Sequence, residues 1–146
     1  MKKGTVRFAV LEDLDRIEEI ENNSFETPWT REALRMEIEQ IEMSDVFVIE
    51  DNGDVIGYMS YMKIIDEAHI NNIAVDKKYR GLGYGRVLVS EIVNNLLKEG
   101  FSVTLEVRED NNAAISLYES LGFKEAGVRK DYYGIGRNGL IMWNRR

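Results

Sequence analysis

Three glycines stand within five positions of this sequence, at Gly81, Gly83 and Gly85, and this cluster constrains the fold more than any other feature. An apolar run with β-branched residues ends before it at Val75, and apolar residues recur at helical spacing after it. Glycine permits tight turns and lets the backbone approach a ligand closely. The pattern predicts a strand, a glycine-rich turn and a helix whose first amides have no partner inside the helix. Because the helix dipole adds positive charge there, such a turn is suited to binding phosphate or pyrophosphate.

Two common phosphate-binding motifs do not fit the glycine cluster. A Walker loop continues with Gly-Lys-Ser or Gly-Lys-Thr, and neither follows these glycines. A dinucleotide fingerprint needs glycine or alanine three residues after Gly83, where Arg86 stands. The spacing that remains is Arg80-x-x-Gly83-x-Gly85. On the turn alone, an ordinary strand–turn–helix connection without a ligand stays open as the alternative.

The composition argues against several kinds of site. Cysteine is absent, so we expect no disulfide, no thiolate metal site and no cysteine acyl-enzyme. His69 is the one histidine, and a zinc site would need carboxylates for its other ligands, so we expect no metal. The formal charge of −7, from 26 acidic and 19 basic residues, argues against nucleic acid as a partner. That charge is compatible with a cationic substrate, but it also has the simpler explanation of solubility.

The length of 146 residues predicts a single domain over residues 1–146. The sequence has no apolar run long enough for a signal peptide or a membrane span, which predicts a cytoplasmic protein with no membrane partner.

Alternating strand and helix patterns predict a mixed α/β sheet in the order β-α-α-β-β-β-α-β-α-β-β. Pro28 separates two amphipathic helices, and the first carries apolar residues near helical spacing as far as Phe25. Asn52-Gly53 predicts a hairpin turn, so the strands around it should be antiparallel. The helix after the glycine turn can join parallel strands by a right-handed crossover. We therefore expect about seven strands, mostly antiparallel, with about four helices on both faces.

These segments together resemble the GCN5-related N-acetyltransferase (GNAT) family over nearly the whole chain. The spacing Arg80-x-x-Gly83-x-Gly85 is similar to the acyl-CoA pyrophosphate loop of that family. The other matching segments are Phe25 with Pro28-Trp29, residues 73–75, residues 105–108 followed by Asn111, residues 113–123 and residues 129–133. They resemble most the ribosomal-protein alanine N-acetyltransferase (RimI-type) branch, and less closely the archaeal and eukaryotic N-terminal acetyltransferases. Two positions depart from the branch: Gly139 stands where alanine is usual, and Arg80 replaces the glutamine of some members.

The resemblance implies a GNAT-type fold and an enzyme that acetylates the α-amine of a protein N-terminus by direct transfer from acetyl-CoA. The acceptor it implies is the N-terminal alanine of a ribosomal protein, and we expect a monomer or weak dimer. It implies Glu106 as the general base and Tyr118 as the general acid. The cofactor-binding residues it implies are Ile73, Ala74, Val75, Arg80, Gly81, Leu82, Gly83, Tyr84, Gly85, Arg86 and Asn111.

The acceptor side is predicted from aromatic and charged side chains. Phe25 and Trp29 are candidates for an acceptor groove, with ordinary packing as the equal alternative. Tyr132 and Tyr133 are adjacent in a loop and cannot both face a core, which favours a role in binding. The remaining pair is Glu67 and His69, which share one side of their strand and form a second candidate base pair or ligands for the incoming ammonium.

The chemistry of acetyl transfer favours an α-amine over a lysine as acceptor. Holding an α-amine neutral at pH 7 costs about 1 kcal/mol, whereas a lysine costs about 4.6 kcal/mol. A carboxylate such as Glu106 can meet the first cost with little help. From spacing alone, Glu106 has the alternative of a solvent-facing residue paired with Arg108 or a neighbouring lysine, and Tyr118 has that of a core tyrosine.

Two other functions stay open from the residues. A small-amine acetyltransferase, acting on a polyamine or an antibiotic, would use acidic pocket residues such as Glu26, Glu67 and Asp131. A module that binds acyl-CoA without turnover is the weaker alternative, because both Glu106 and Tyr118 are present.

Overall fold

A computed structural model describes residues 4–39 and 43–145 and shows one seven-stranded sheet in the order β1-β2-β3-β4-β5-β7-β6. The strands are β1 (Thr5–Phe8), β2 (Ser44–Asp51), β3 (Asp54–Ile64), β4 (Glu67–Val75), β5 (Ser102–Arg108), β6 (Lys124–Arg129) and β7 (Gly139–Asn144). The helices are α1 (Leu14–Ser24), α2 (Arg31–Ile38), α3 (Tyr84–Lys98) and α4 (Asn112–Ser120). Neighbouring strands pair antiparallel except β4 and β5, which are parallel. The predicted mixed, mostly antiparallel sheet is confirmed.

Local sequence signals account for the boundaries of several elements. The β2–β3 turn has positive φ at both central residues, Asn52 (51°) and Gly53 (83°), as a tight hairpin requires. Thr30 caps α2 by accepting the Ala33 amide at 3.2 Å. The first helix was expected to end near Asn22 and Asn23, and α1 ends at Ser24. The grouping of Phe25 with its apolar spacing is wrong, because Phe25 adopts an extended conformation beyond the helix. Its ring is therefore not part of the apolar face of α1.

Helices cover both faces of the sheet, and each face has its own core. On one face α3 and α4 pack on the sheet, with Leu88 and Val89 fully buried in the same cluster as Leu105 and Val107 of β5. On the other face α1 and α2 pack on β2, β3 and β4. Because side chains alternate along a strand, Glu106 faces away from the α3 core and lies on the side where α1 and α2 are found. In the described residues, no helix is long and apolar enough to cross a membrane.

The sheet opens between its two parallel strands. Within the part of the chain that the structure describes, β4 pairs with β5 only from Glu67 to His69. Both strands continue beyond that point, to Val75 and Arg108. The register of β4 against β3 shifts at Asn71, a bulge that bends β4. The end of β4 that leads to Val75 therefore presents backbone groups to a wedge-shaped opening between β4 and β5. Glu106 of β5 lies along the other side of this opening.

Candidate active site

The glycine turn lies at the carboxyl end of β4, where the wedge is widest. Gly81 and Gly83 have φ of 78° and 94°, values that favour glycine over other residues. Gly83 is the N-cap of α3, so the turn leads directly into the first amides of a 15-residue helix. A helix start combines outward-pointing amides with partial positive charge, and it is suited to an anion.

The side chains of the turn are used mainly for support. Arg80 donates from Nε to the Val75 carbonyl at 2.9 Å and from Nη2 to the Ser24 hydroxyl at 3.1 Å, which ties β4 to α1. The Tyr84 ring is buried against Tyr79, and its hydroxyl donates to Asp51. Backbone groups are therefore what this turn chiefly offers to a ligand. The hydrogen bond from Arg80 to Ser24 could not be predicted from local sequence, because the two residues belong to different elements.

We expect Gly81→Val to weaken acetyl-CoA binding by about 10-fold, because a β-branched residue at positive φ costs about 1–3 kcal/mol and reshapes the turn. Gly53→Val is a matched control, since Gly53 has φ of +83° and Gly81 +78°, and a β-carbon added at either glycine meets no atom within 4 Å. Both variants should lose similar stability in thermal unfolding, but only Gly81→Val should weaken binding in a calorimetric titration. Equal acetyl-CoA affinity in the two variants would contradict the assignment of the turn.

Glu106 is held at the opening by a neighbouring strand. Its Oε1 lies 2.9 Å from Nη2 of Arg129, and its side chain is 22% exposed. Its Oε2 is buried and has no hydrogen-bond partner in the described residues. The alternative of pairing with Arg108 is wrong, because Arg108 instead donates to Asp110 at 3.0 and 3.2 Å. An unpaired, buried carboxylate oxygen at this place can accept a proton from a ligand.

Tyr133 lies next to Glu106, and Tyr118 is a neighbour of Tyr133. The Tyr133 hydroxyl donates to the Glu106 carbonyl at 3.2 Å. Tyr118 is 6% exposed, with its ring edge-on to Phe123 at 5.7 Å. Burial, and then the neighbouring Tyr133, raises the pKa of Tyr118 to about 12. Tyr133 thus has both Glu106 and Tyr118 as neighbours, and the Tyr118 phenol stays protonated at neutral pH.

The predicted acceptor residues lie on two loops that contact each other. Phe25 and Trp29, in the α1–α2 loop, are each partly exposed, and Tyr132, in the β6–β7 loop, is half exposed. Arg137 of the second loop donates to Glu26 of the first at 3.5 Å. The two loops therefore border one side of the opening, as an acceptor groove requires.

A buried carboxylate holds the α1–α2 loop in place. Glu21 is fully buried, and its Oε2 accepts the Trp29 amide at 2.8 Å. Its Oε1 accepts Nδ2 of Asn72 at 2.8 Å and the Tyr58 hydroxyl. Burial raises the pKa of Glu21, and the hydrogen bonds from Trp29 and Asn72 oppose that rise. The prediction from sequence missed Glu21 and Asn72, although Glu21 falls on the apolar face of α1.

Glu67 and His69 are brought together at the base of the opening. His69 Nε2 lies 3.0 Å from Glu67 Oε1, and the His69 ring stands edge-on to Trp143 at 6.2 Å. Asn111 is the N-cap of α4, where its side chain accepts the Ala114 amide at 3.2 Å. Contact of Asn111 with a cofactor stays a prediction.

Two concave surfaces of the protein lie away from Glu106. One, of about 600 Å³, is lined by residues of α1 and of the turn before the glycines, including Arg16, Asp76 and Lys77. The other, of about 240 Å³, is lined by Phe8, Phe47 and other residues between the sheet and α3. The candidate site is an open wedge between β4 and β5 and does not enclose a cavity.

Known proteins resemble this chain over most of its length. The family model described as "Acetyltransferase (GNAT) family" matches residues 14–123. The chain is 38% identical to the [Ribosomal protein bS18]-alanine N-acetyltransferase of Escherichia coli K12, over 89% of this chain and 87% of that protein. It is 35% identical to the Haemophilus influenzae protein of the same name, over 89% and 90% of the two chains. The crystal structure of the E. coli ribosomal-protein-S18-alanine N-acetyltransferase superposes with a TM-score of 0.88 at 34% identity, over 97% of this chain and 93% of that one.

Proposed function

The chain belongs to the GNAT acetyltransferase family, and from this premise we propose that it transfers the acetyl group of acetyl-CoA to the α-amine of a protein N-terminus. The observation that carries the acceptor class is the 38% identity with the E. coli bS18-alanine N-acetyltransferase along 89% of this chain. The acceptor we propose is the N-terminal alanine of a ribosomal protein of the bS18 type, which places the reaction in the cytoplasm. We take residues 1–146 as one acetyltransferase domain.

The proposed acetyl-CoA site follows the wedge from the glycine turn downward. The backbone of Gly81, Gly83 and Gly85 and the start of α3 bind the pyrophosphate. Leu82 and Arg86 complete that loop, and Arg80 and Tyr84 support it by the contacts they make. The edge of β4 from Ile73 to Val75 offers backbone groups to the pantetheine arm and the acetyl carbonyl, and Asn111 lies on the far side of the opening.

In the proposed chemistry, Glu106 acts on the attacking amine and Tyr118 acts on the departing sulfur. Glu106 Oε2 takes the proton of the attacking amine, directly or through a water, as a C–N bond forms and the C–S bond breaks. Tyr118 donates a hydrogen bond to the departing sulfur. Because the pKa of Tyr118 is about 12 and that of a thiol about 8.5, complete proton transfer to sulfur is uphill by roughly 5 kcal/mol. Tyr118 therefore stabilises the leaving group mainly by its hydrogen bond, and the groove made by Phe25, Trp29, Tyr132 and Tyr133 supplies proximity.

The pH dependence of kcat/KM should follow the acceptor amine and not Tyr118. We expect the rate to rise with pH through about 7.7–8.0, where an α-amine loses its proton. If Tyr118 acted as an acid with the ordinary tyrosine pKa of about 10, the rate would fall as the pH approaches 10. Since the pKa of Tyr118 is raised to about 12, its proton is lost only above that range, and no fall is expected up to pH 10. Initial rates between pH 6 and 10 test this, and a descending limb that disappears on Tyr118→Phe would contradict it.

Initial rates with three acceptors test the proposed function. An alanine-starting peptide should react fastest. The same peptide with a blocked N-terminus and an internal lysine should react roughly 400-fold slower, because neutralising a lysine at pH 7 costs about 3.6 kcal/mol more. Spermidine should also be slow. Faster acetylation of spermidine than of the alanine peptide would contradict the proposal.

The small-amine alternative is not favoured by the contacts of its acidic residues. Glu26 contacts Arg137, and Glu67 contacts His69. Asp131 accepts the Gly136 amide at 2.7 Å and so closes its own loop. Each of these three carboxylates already has a partner within the protein.

A further inference from the structure

The two carboxylate oxygens of Glu106 have different surroundings. Oε1 pairs with Nη2 of Arg129 at 2.9 Å. Oε2 is buried and lacks a hydrogen-bond partner in the described part of the chain. Burying a polar atom without a partner is costly, so an oxygen left in this state marks a place where a ligand completes the bonding. The acceptor amine, or a water beside it, is the ligand that the proposed reaction brings to Oε2.

We infer that Arg129 is the positioning residue for the base: its guanidinium holds Oε1 so that Oε2 faces the acceptor amine. The inference rests on the proposed function, because it takes Glu106 as the base. Arg129 touches no reacting atom in this account. The terminal torsion of a glutamate side chain is soft, and the carboxylate can turn through a broad range unless it is held. The ion pair from Arg129 is the contact that restricts that torsion.

Arg129 is itself fixed by aromatic rings of the β6–β7 loop. Its guanidinium lies over the Tyr132 ring, 4.9 Å from the ring centre. Tyr132 in turn meets Tyr133 edge-on at 4.9 Å. A planar guanidinium can stack on a ring and pair with a carboxylate at the same time. The loop proposed to grip the acceptor therefore also determines the orientation of the base.

Gly139 provides the space for this arrangement. A β-carbon at Gly139 would lie 3.3 Å from atoms of both Tyr132 and Tyr133, which is tighter than most such contacts. In register, Gly139 pairs with Arg129 on one side and Arg108 on the other. The missing side chain at Gly139 thus lets the rings of Tyr132 and Tyr133 pack closely against β7.

The test compares R129M and R129K in acetyl transfer to the alanine peptide. Methionine keeps an apolar stem over Tyr132 but removes the charge, whereas lysine keeps the charge. We expect R129M to lower kcat about 10-fold, which is less than the 10²- to 10⁴-fold rate increase that a general base supplies. The dissociation constant for acetyl-CoA should not change. R129K should recover most of that loss. R31M is the matched control, because the Arg31 side chain is 50% exposed and ion-paired with Asp15 and Glu18, while that of Arg129 is 54% exposed. R31M should retain the parent kcat.

A second arm repeats R129M in the E106Q background. If Arg129 acts through Glu106, the substitution should cost nothing further there, because no base remains to be oriented. An equal loss of kcat in both backgrounds, or an R129K variant no better than R129M, would overturn the inference. A parent enzyme that acetylates no peptide would instead contradict the proposed function, so the two failures are distinguishable.

Discussion

Replacement of Glu106 by glutamine is expected to lower kcat for acetyl transfer by about 10²- to 10³-fold, within the range that a general base contributes. Glutamine keeps the shape of the side chain but cannot accept the proton of the amine. The effect should fall on kcat, because Glu106 lies on β5 across the opening from the glycine turn. Steady-state kinetics with the alanine peptide, together with a calorimetric titration of acetyl-CoA, separate turnover from cofactor affinity.

Glu125→Gln is the matched control for this change of charge. Glu125 is an exposed residue of β6, in the same sheet, and no role is assigned to it. Its variant should turn over like the parent enzyme. If E106Q also turns over like the parent, then Glu106 is not the base, and the pair formed by Glu67 and His69 becomes the candidate to examine.

Replacement of Tyr118 by phenylalanine is the second large effect, with kcat expected to fall by about 10- to 10²-fold. The variant removes one hydroxyl and leaves a ring of nearly the same size, so packing against Phe123 is kept. The lost hydrogen bond is one that is made to the sulfur only as the C–S bond breaks. Interactions present only in the transition state appear in kcat and not in substrate affinity.

Tyr61→Phe distinguishes this effect from the general cost of altering a buried tyrosine. Tyr61 is also buried in the α3 core, and burial raises its pKa as it does that of Tyr118. Its ring stacks on Phe47, and β4 separates its strand, β3, from β5. We expect Tyr61→Phe to change thermal stability slightly and kcat not at all. A Y118F enzyme with the parent kcat would remove Tyr118 from the mechanism.

Features carried by short stretches of sequence were predictable. The Asn52-Gly53 hairpin, the Thr30 and Asn111 caps and the glycine turn are each specified by residues within a few positions of one another. Backbone preferences and side-chain caps act over that range, so sequence pattern is enough to find them. The resemblance to the family then added roles for Glu106 and Tyr118 that spacing alone left open.

Contacts between distant segments were not predictable in the same way. The bond from Tyr133 to the Glu106 carbonyl joins residues 27 positions apart, and that from Asn72 to Glu21 joins residues 51 apart. Such pairs form only after strand order and register are established, and no local sequence pattern predicts them. This is why Arg129 was predicted only as part of a matching segment, and why its ion pair with Glu106 was not foreseen from the sequence.

The position of the acetyl group on the product tests the central claim most directly. A bS18-type ribosomal protein that begins with alanine can be incubated with this enzyme and acetyl-CoA, and then fragmented in a mass spectrometer. We expect one added acetyl group, on the nitrogen of the first residue. Acetylation of lysine side chains and not of the first residue would contradict the proposed function. A ribosomal protein whose mass does not change would contradict it as well.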